Sequence, residues 1–78
     1  MKTLSTASKI INTLIEKHNL YASLNKYSNT ELATIETYKH NIHVFENGSI
    51  RIETIQGKMV NEYKTVNTVI KKVIELCK

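Results

Sequence analysis

Aspartate, proline and tryptophan are absent from this chain of 78 residues, glycine occurs twice and cysteine once. No proline and two glycines rule out a linker, a collagen-like repeat or a low-complexity tract. The single cysteine, Cys77, excludes an intramolecular disulfide and points to a reducing interior, so a cytoplasmic location is expected. No apolar run approaches the length of a signal core or a membrane span. Arginine is nearly missing too. Ten lysines and one arginine, Arg51, oppose seven acids, all glutamate, for a net charge of +4. Lysine attracts polyanions without fixed geometry, whereas clustered arginines read phosphates with a planar fork.

What is present is globular: 41% hydrophobic and 23% charged residues, enough for one small domain over residues 1–78. Ala7, Ile10, Ile11, Leu14, Ile15 and His18 recur at helical steps and predict a helix from about Ser5 to His18, with Ser5 or Thr3 as its N-cap. Tyr21 and Leu24 continue the stripe, so this helix is expected to end at Asn19 or at Asn25, before a loop over Tyr27-Ser28-Asn29-Thr30. A second helix is predicted from Val66 to Cys77, capped by Thr65, with Val66, Val69, Ile70, Val73, Ile74 and Cys77 inward.

Between them lies a β-meander. Ile42 to Glu46 and Ile50 to Ile55 flank Asn47-Gly48, the strongest short hairpin signal, and Gln56-Gly57 offers a second turn before Met59 to Lys64. Two-residue loops would set Phe45 opposite Ile50, His43 opposite Ile52, Arg51 opposite Glu62 and Ile50 opposite Tyr63. That register makes Phe45, Ile50, Ile52, Met59 and Tyr63 the core face. It leaves Ile42, Val44, Arg51, Glu53, Val60, Glu62 and Lys64 on a mixed, open face.

Glu31 to His40 has two readings. As a strand, Ala33, Ile35 and Thr37 alternate with Leu32, Thr34 and Glu36, and a turn at Lys39-His40 pairs Ile35 with Val44. As a helix, Thr30 caps a segment lined by Leu32, Ile35 and Tyr38. The strand gives an α+β fold: N-terminal helix, antiparallel meander of three to four strands, C-terminal helix. The helix gives a winged helix, with Leu20 to Tyr27 as a short second helix, Thr30 to His40 for recognition and the Asn47-Gly48 hairpin as the wing. Its recognition helix would carry Glu31 and Glu36 against Lys39 alone, a poor charge pattern for reading a groove.

Chemistry-bearing patterns are few. There is no glycine-rich phosphate loop, no useful pair of carboxylates and no Ser/His/Asp set, so a non-enzyme without a cofactor is expected. His18, His40 and His43 lack metal-ligand spacing and are expected at the surface. Cys77 falls in the last helical turn, where a thiolate gains nothing, and is read as a small apolar residue. Tyr21, Tyr27 and Tyr38, near Lys26 and Lys39, are expected at the rim of helix–sheet packing; stacking on nucleobases is the alternative.

The run Asn41-Ile42-His43-Val44-Phe45-Glu46-Asn47-Gly48-Ser49, followed by a strand, the Gly57 turn, another strand and a closing helix, resembles the small phage-encoded anti-CRISPR inhibitors of the type I-F surveillance complex. The long N-terminal helix departs from that pattern. The resemblance implies hairpin geometry and inhibition by covering the surface of a Cas-type effector protein. Arg51, Glu53, Glu62, Lys64, Val44, Ile42 and Lys39 are then the candidate contact residues. A nucleic-acid-binding regulator is the alternative, and a homodimer is compatible with either reading.

Overall fold

Both glycine turns close three-residue loops, not two-residue ones. In the computed structural model, which describes residues 2–27 and 32–76, the Phe45 N–H donates to the Ser49 carbonyl and the Gly48 N–H returns to the Phe45 carbonyl. Thr54, Lys58 and Gly57 repeat the pattern one hairpin later. Gly48 and Gly57 each have φ of +93°, and Asn47 does not have positive φ. A type I′ turn needs two positive φ values, so each loop is instead a turn completed by one positive-φ glycine, the G1-bulge arrangement.

The extra loop residue shifts the first hairpin by one place. Strand β3 (His40–Phe45) pairs with β4 (Ile50–Thr54) as Val44 with Ile50, His43 with Arg51 and Ile42 with Ile52. Side chains alternate across a strand, so this shift exchanges the two faces of β3. Ile42 and Val44, expected on the open face, join Ile50 and Ile52 in the core, all four essentially without solvent exposure. Phe45, expected in the core, turns outward beside His43. Four aliphatics face the helices, each worth about 1.5–3 kcal/mol on full burial.

The second hairpin, between β4 and β5 (Met59–Tyr63), keeps Arg51 with Glu62 and Ile50 with Tyr63, but Met59, which a two-residue loop would set opposite Thr54, pairs with Glu53. Its irregularity falls at Glu53 opposite Met59, and Met59 is 52% exposed, not a core residue.

The segment with two readings is a strand, β2 (Leu32–Thr37), so a recognition helix does not form over these residues and the winged-helix arrangement is excluded. The turn falls at Tyr38-Lys39, one place earlier than expected. Ile35 therefore pairs with Ile42 and Ala33 with Val44. This shift moves β3 by two places, so the faces are unchanged. Thr37 ties the turn: its hydroxyl donates to the His40 carbonyl at 2.8 Å and accepts the His40 N–H at 3.2 Å.

A fifth strand, β1 (Ala22–Tyr27), occupies what the helical stripe suggested as an extension of the first helix. The helix α1 (Lys2–His18) ends because Asn19 adopts φ of 53°, and the Leu20 N–H turns back to the Leu14 carbonyl at 2.9 Å. Left-handed asparagine is a common helix stop. The start differs from expectation as well: Thr3 and Ser5 lie inside α1, and Thr3 is buried with Ala7, Ile10 and Leu14.

The result is an α+β sandwich with sheet order β1-β2-β3-β4-β5, antiparallel throughout. Helix α1 packs over β1, β2 and β3; α2 (Val66–Leu76) packs over β4 and β5 and against α1. Thr65 caps α2 as expected, accepting the Thr68 N–H at 3.4 Å. Val69, Ile70 and Val73 bury its inward stripe, which offsets the poor helix propensity of its β-branched residues. Cys77 lies outside the described residues, as does the expected loop over Ser28, Asn29 and Thr30.

Candidate functional site: the uncovered sheet face

Both helices lie on one side of the sheet, so the side chains that alternate away from them form a face with no second layer. By register this face holds Ser23 from β1, Leu32, Thr34 and Glu36 from β2, Asn41, His43 and Phe45 from β3, Arg51 and Glu53 from β4, and Glu62 from β5. A sheet face left open to water is ordinarily a scatter of independent polar residues. Here the side chains are joined.

His43 is the hub. Its Nδ1 lies 2.9 Å from Thr34 Oγ1 on one neighbouring strand, and its Nε2 lies 3.1 Å from Glu53 Oε1 on the other. An ionised carboxylate only accepts, so Nε2 carries a proton and donates to Glu53. When the ring is neutral, Nδ1 accepts the Thr34 hydroxyl. Glu53 Oε2 faces Arg51 Nη1 at 3.7 Å, and Arg51 Nη2 reaches Glu62 Oε1 at 3.4 Å. The Arg51 guanidinium also sits 5.2 Å above the centre of the Phe45 ring, a cation–π contact. Four strands are thus tied by one chain of polar contacts running Thr34, His43, Glu53, Arg51, Glu62. At the β1 end the Tyr21 hydroxyl lies 2.9 Å from Ser23 Oγ and donates to Glu36 Oε1 at 3.1 Å.

Hydroxyl, imidazole and carboxylate stand in the order used for nucleophilic catalysis. Access is missing. Thr34 is 5% exposed, and β2 is paired on both sides, so its backbone N–H groups are committed to the ladders and offer no oxyanion donors. The arrangement positions and stiffens the face.

Of the expected contact residues, Arg51, Glu53 and Glu62 meet on this face. Ile42 and Val44 are removed from it, buried beneath the helices. Lys64 follows β5, exposed, before α2. Lys39 is exposed in the β2–β3 turn, where it lines a cleft of about 250 Å³ with Asn19, Leu20, Tyr21 and Tyr38. Phe45 is the member that sequence reasoning placed in the core, and His43, expected at the surface, is the one whose place in the network it did not identify. The signal that finds them is the alternation His43/Phe45 against Ile42/Val44: the two aliphatics belong together. His40 is half-buried at the start of β3, and burial, then the adjacent Lys39 charge, lowers its pKa below 6.5. Among the described residues no three histidines, cysteines or acids converge on a metal position, and no helix is long and apolar enough to cross a membrane.

Among described side chains the face mixes three glutamates, Glu36, Glu53 and Glu62, with Arg51, and in β1 Lys26 pairs with Thr34 of the same face. The lysines with described side chains all lie in helices, turns or loops: Lys9, Lys17, Lys39, Lys58, Lys64, Lys71 and Lys72.

No family model, curated protein or solved structure matches the chain.

Proposed function

We propose that the chain is a non-catalytic protein-binding module whose uncovered sheet face docks on the surface of another protein and blocks it. The observation that supports this most directly is the joined network around His43 and Arg51 on a face that none of the described elements covers. Side chains already held in place lose less freedom on binding. Phe45 beneath Arg51 supplies the aromatic and arginine pair that interface centres favour. The glutamates and Arg51 of the face suit a protein surface of complementary, mixed charge.

In its finer form the proposal is an inhibitor carried by a phage or other mobile element and acting in the host cytoplasm on a CRISPR-Cas-type effector. That form rests on the likeness of the Asn41 to Ser49 hairpin alone. The test is capture of a partner from nuclease-treated bacterial extract at two salt concentrations, by the native chain and by Phe45→Ala/Arg51→Glu. A protein retained by the native chain and lost by the face variant, with both variants folded by NMR, supports the reading. A partner retained equally by both, or recovery that disappears with nuclease, overturns it.

A further inference from the structure

Positive charge without a partner collects on the helical layer. Between α1 and α2 runs a groove lined by Thr13, Lys17 and His18 from α1 and by Asn67, Ile70, Lys71 and Ile74 from α2. Its volume is about 360 Å³, within the range of ~300–1,000 Å³ typical of small-ligand pockets. No carboxylate lines it, and neither Lys17 nor Lys71 forms an ion pair among the described residues.

Part of this charge has a structural explanation. Lys17 and His18 occupy the last turn of α1, where cations complement the carbonyl end of the helix. Lys71 does not share that explanation. It lies mid-way along α2, whose last described turn holds no basic residue, and it faces the same groove as Lys17. Two ammonium groups lining one groove together raise its positive potential and attract an anion, most strongly at low salt. The first turn of α2 carries no acid, and Asn67, which lines the groove, belongs to that turn. Its backbone dipole therefore adds positive potential at that end of the groove, against the carbonyl end of α1, which Lys17 and His18 offset. Ile70 and Ile74 form an apolar wall that lowers the local dielectric and strengthens attraction to an anion.

We infer that the α1–α2 groove is an anion site for a phosphate-bearing ligand, held by Lys17 and Lys71 with Asn67 and His18 as flanking donors. The chemistry, ammonium groups with an amide and an imidazole, suits phosphate as a point charge. Two sources share it: a small oligophosphate, or the backbone of a nucleic acid. The groove lies on the opposite side of the sheet from the proposed docking face, so the two sites stand or fall separately.

The test is titration of the ¹⁵N-labelled chain with inorganic tripolyphosphate and, separately, with a short DNA duplex at low salt. The expected result is saturable shifts at Thr13, Lys17, His18, Asn67 and Lys71, and at least roughly tenfold weaker binding by Lys17→Gln/Lys71→Gln. The control variant Lys39→Gln/Lys58→Gln removes equal charge elsewhere and should bind within about twofold of the native chain. All four lysines are exposed, so both variants are expected to fold. If duplex DNA binds and the groove variant lowers its salt slope by about 2, the ligand is a nucleic-acid backbone; if tripolyphosphate binds as tightly as DNA, it is a small phosphate. Shifts spread evenly over all lysines, equal loss in the control variant, or no saturable shift with either probe would overturn the inference. Loss of partner capture by the Phe45/Arg51 variant would not affect it.

Discussion

Glu53 joins His43 on the neighbouring strand to Arg51 on its own, 3.1 Å from the imidazole and 3.7 Å from the guanidinium. One carboxylate thus links two cationic or potentially cationic groups, about one-fifth exposed. Replacing it by glutamine keeps the shape and removes the charge. Glu53→Gln is expected to cost about 1–2 kcal/mol, more than an ordinary surface ion pair, because the charge is lost and one remaining amide oxygen can serve only one of His43 and Arg51. Urea denaturation should show a lower midpoint with an unchanged m-value.

The exchange of faces on β3 makes an unequal pair of substitutions. Ile42→Ala opens a cavity under α1 and should cost about 2–5 kcal/mol. Phe45→Ala, on the uncovered side, should cost less than half as much while weakening partner capture. Equal losses in chemical denaturation would contradict the register.

A methyl group added at Gly48 would point into open space, but the backbone there has φ of +93°. Gly48→Ala therefore meets no clash and carries only backbone strain, about 1–2 kcal/mol. Gly48→Asn should be milder, since asparagine tolerates the left-handed region. Thermal midpoints of the two variants should rank in that order.

His40 has its pKa lowered in the folded chain, first by burial and then by Lys39. The unfolded chain, titrating near 6.5, therefore takes up the proton first as pH falls. Stability is full above that value, declines as pH drops through it, and levels off below the lowered folded pKa. In His40→Gln the decline between about pH 7 and 5 should be shallower, and in Lys39→Gln only partly so. Denaturation midpoints across that range measure it.

Element type was legible where pattern and punctuation agreed. The Val66 to Leu76 stripe, the Thr65 cap and the alternation from Leu32 to Thr37 all appear in the structure. The strand β1 was not legible, because Tyr21 and Leu24 happen to extend the helical spacing and only Asn19 marks the break. The glycine turns could be located but not sized: Asn-Gly serves two-residue and three-residue loops alike. Arg51 opposite Glu62 survived because the second loop's irregularity lies nearer the turn, at Glu53. The His43 hub was hidden because its partners, Thr34 and Glu53, are far apart in sequence and meet only through the β2–β3 and β3–β4 registers.

The loop Glu46-Asn47-Gly48 also sets which length changes the chain can survive. Deleting one residue there would leave room only for a two-residue turn, which turns His43 and Phe45 toward the helices and Ile42 and Val44 toward water, whereas an added residue can be taken up by a longer loop with the strand pairing kept. The hairpin tip therefore tolerates a gain of length better than a loss. Single-residue deletions there would be expected only in chains that have rebuilt β3 as well.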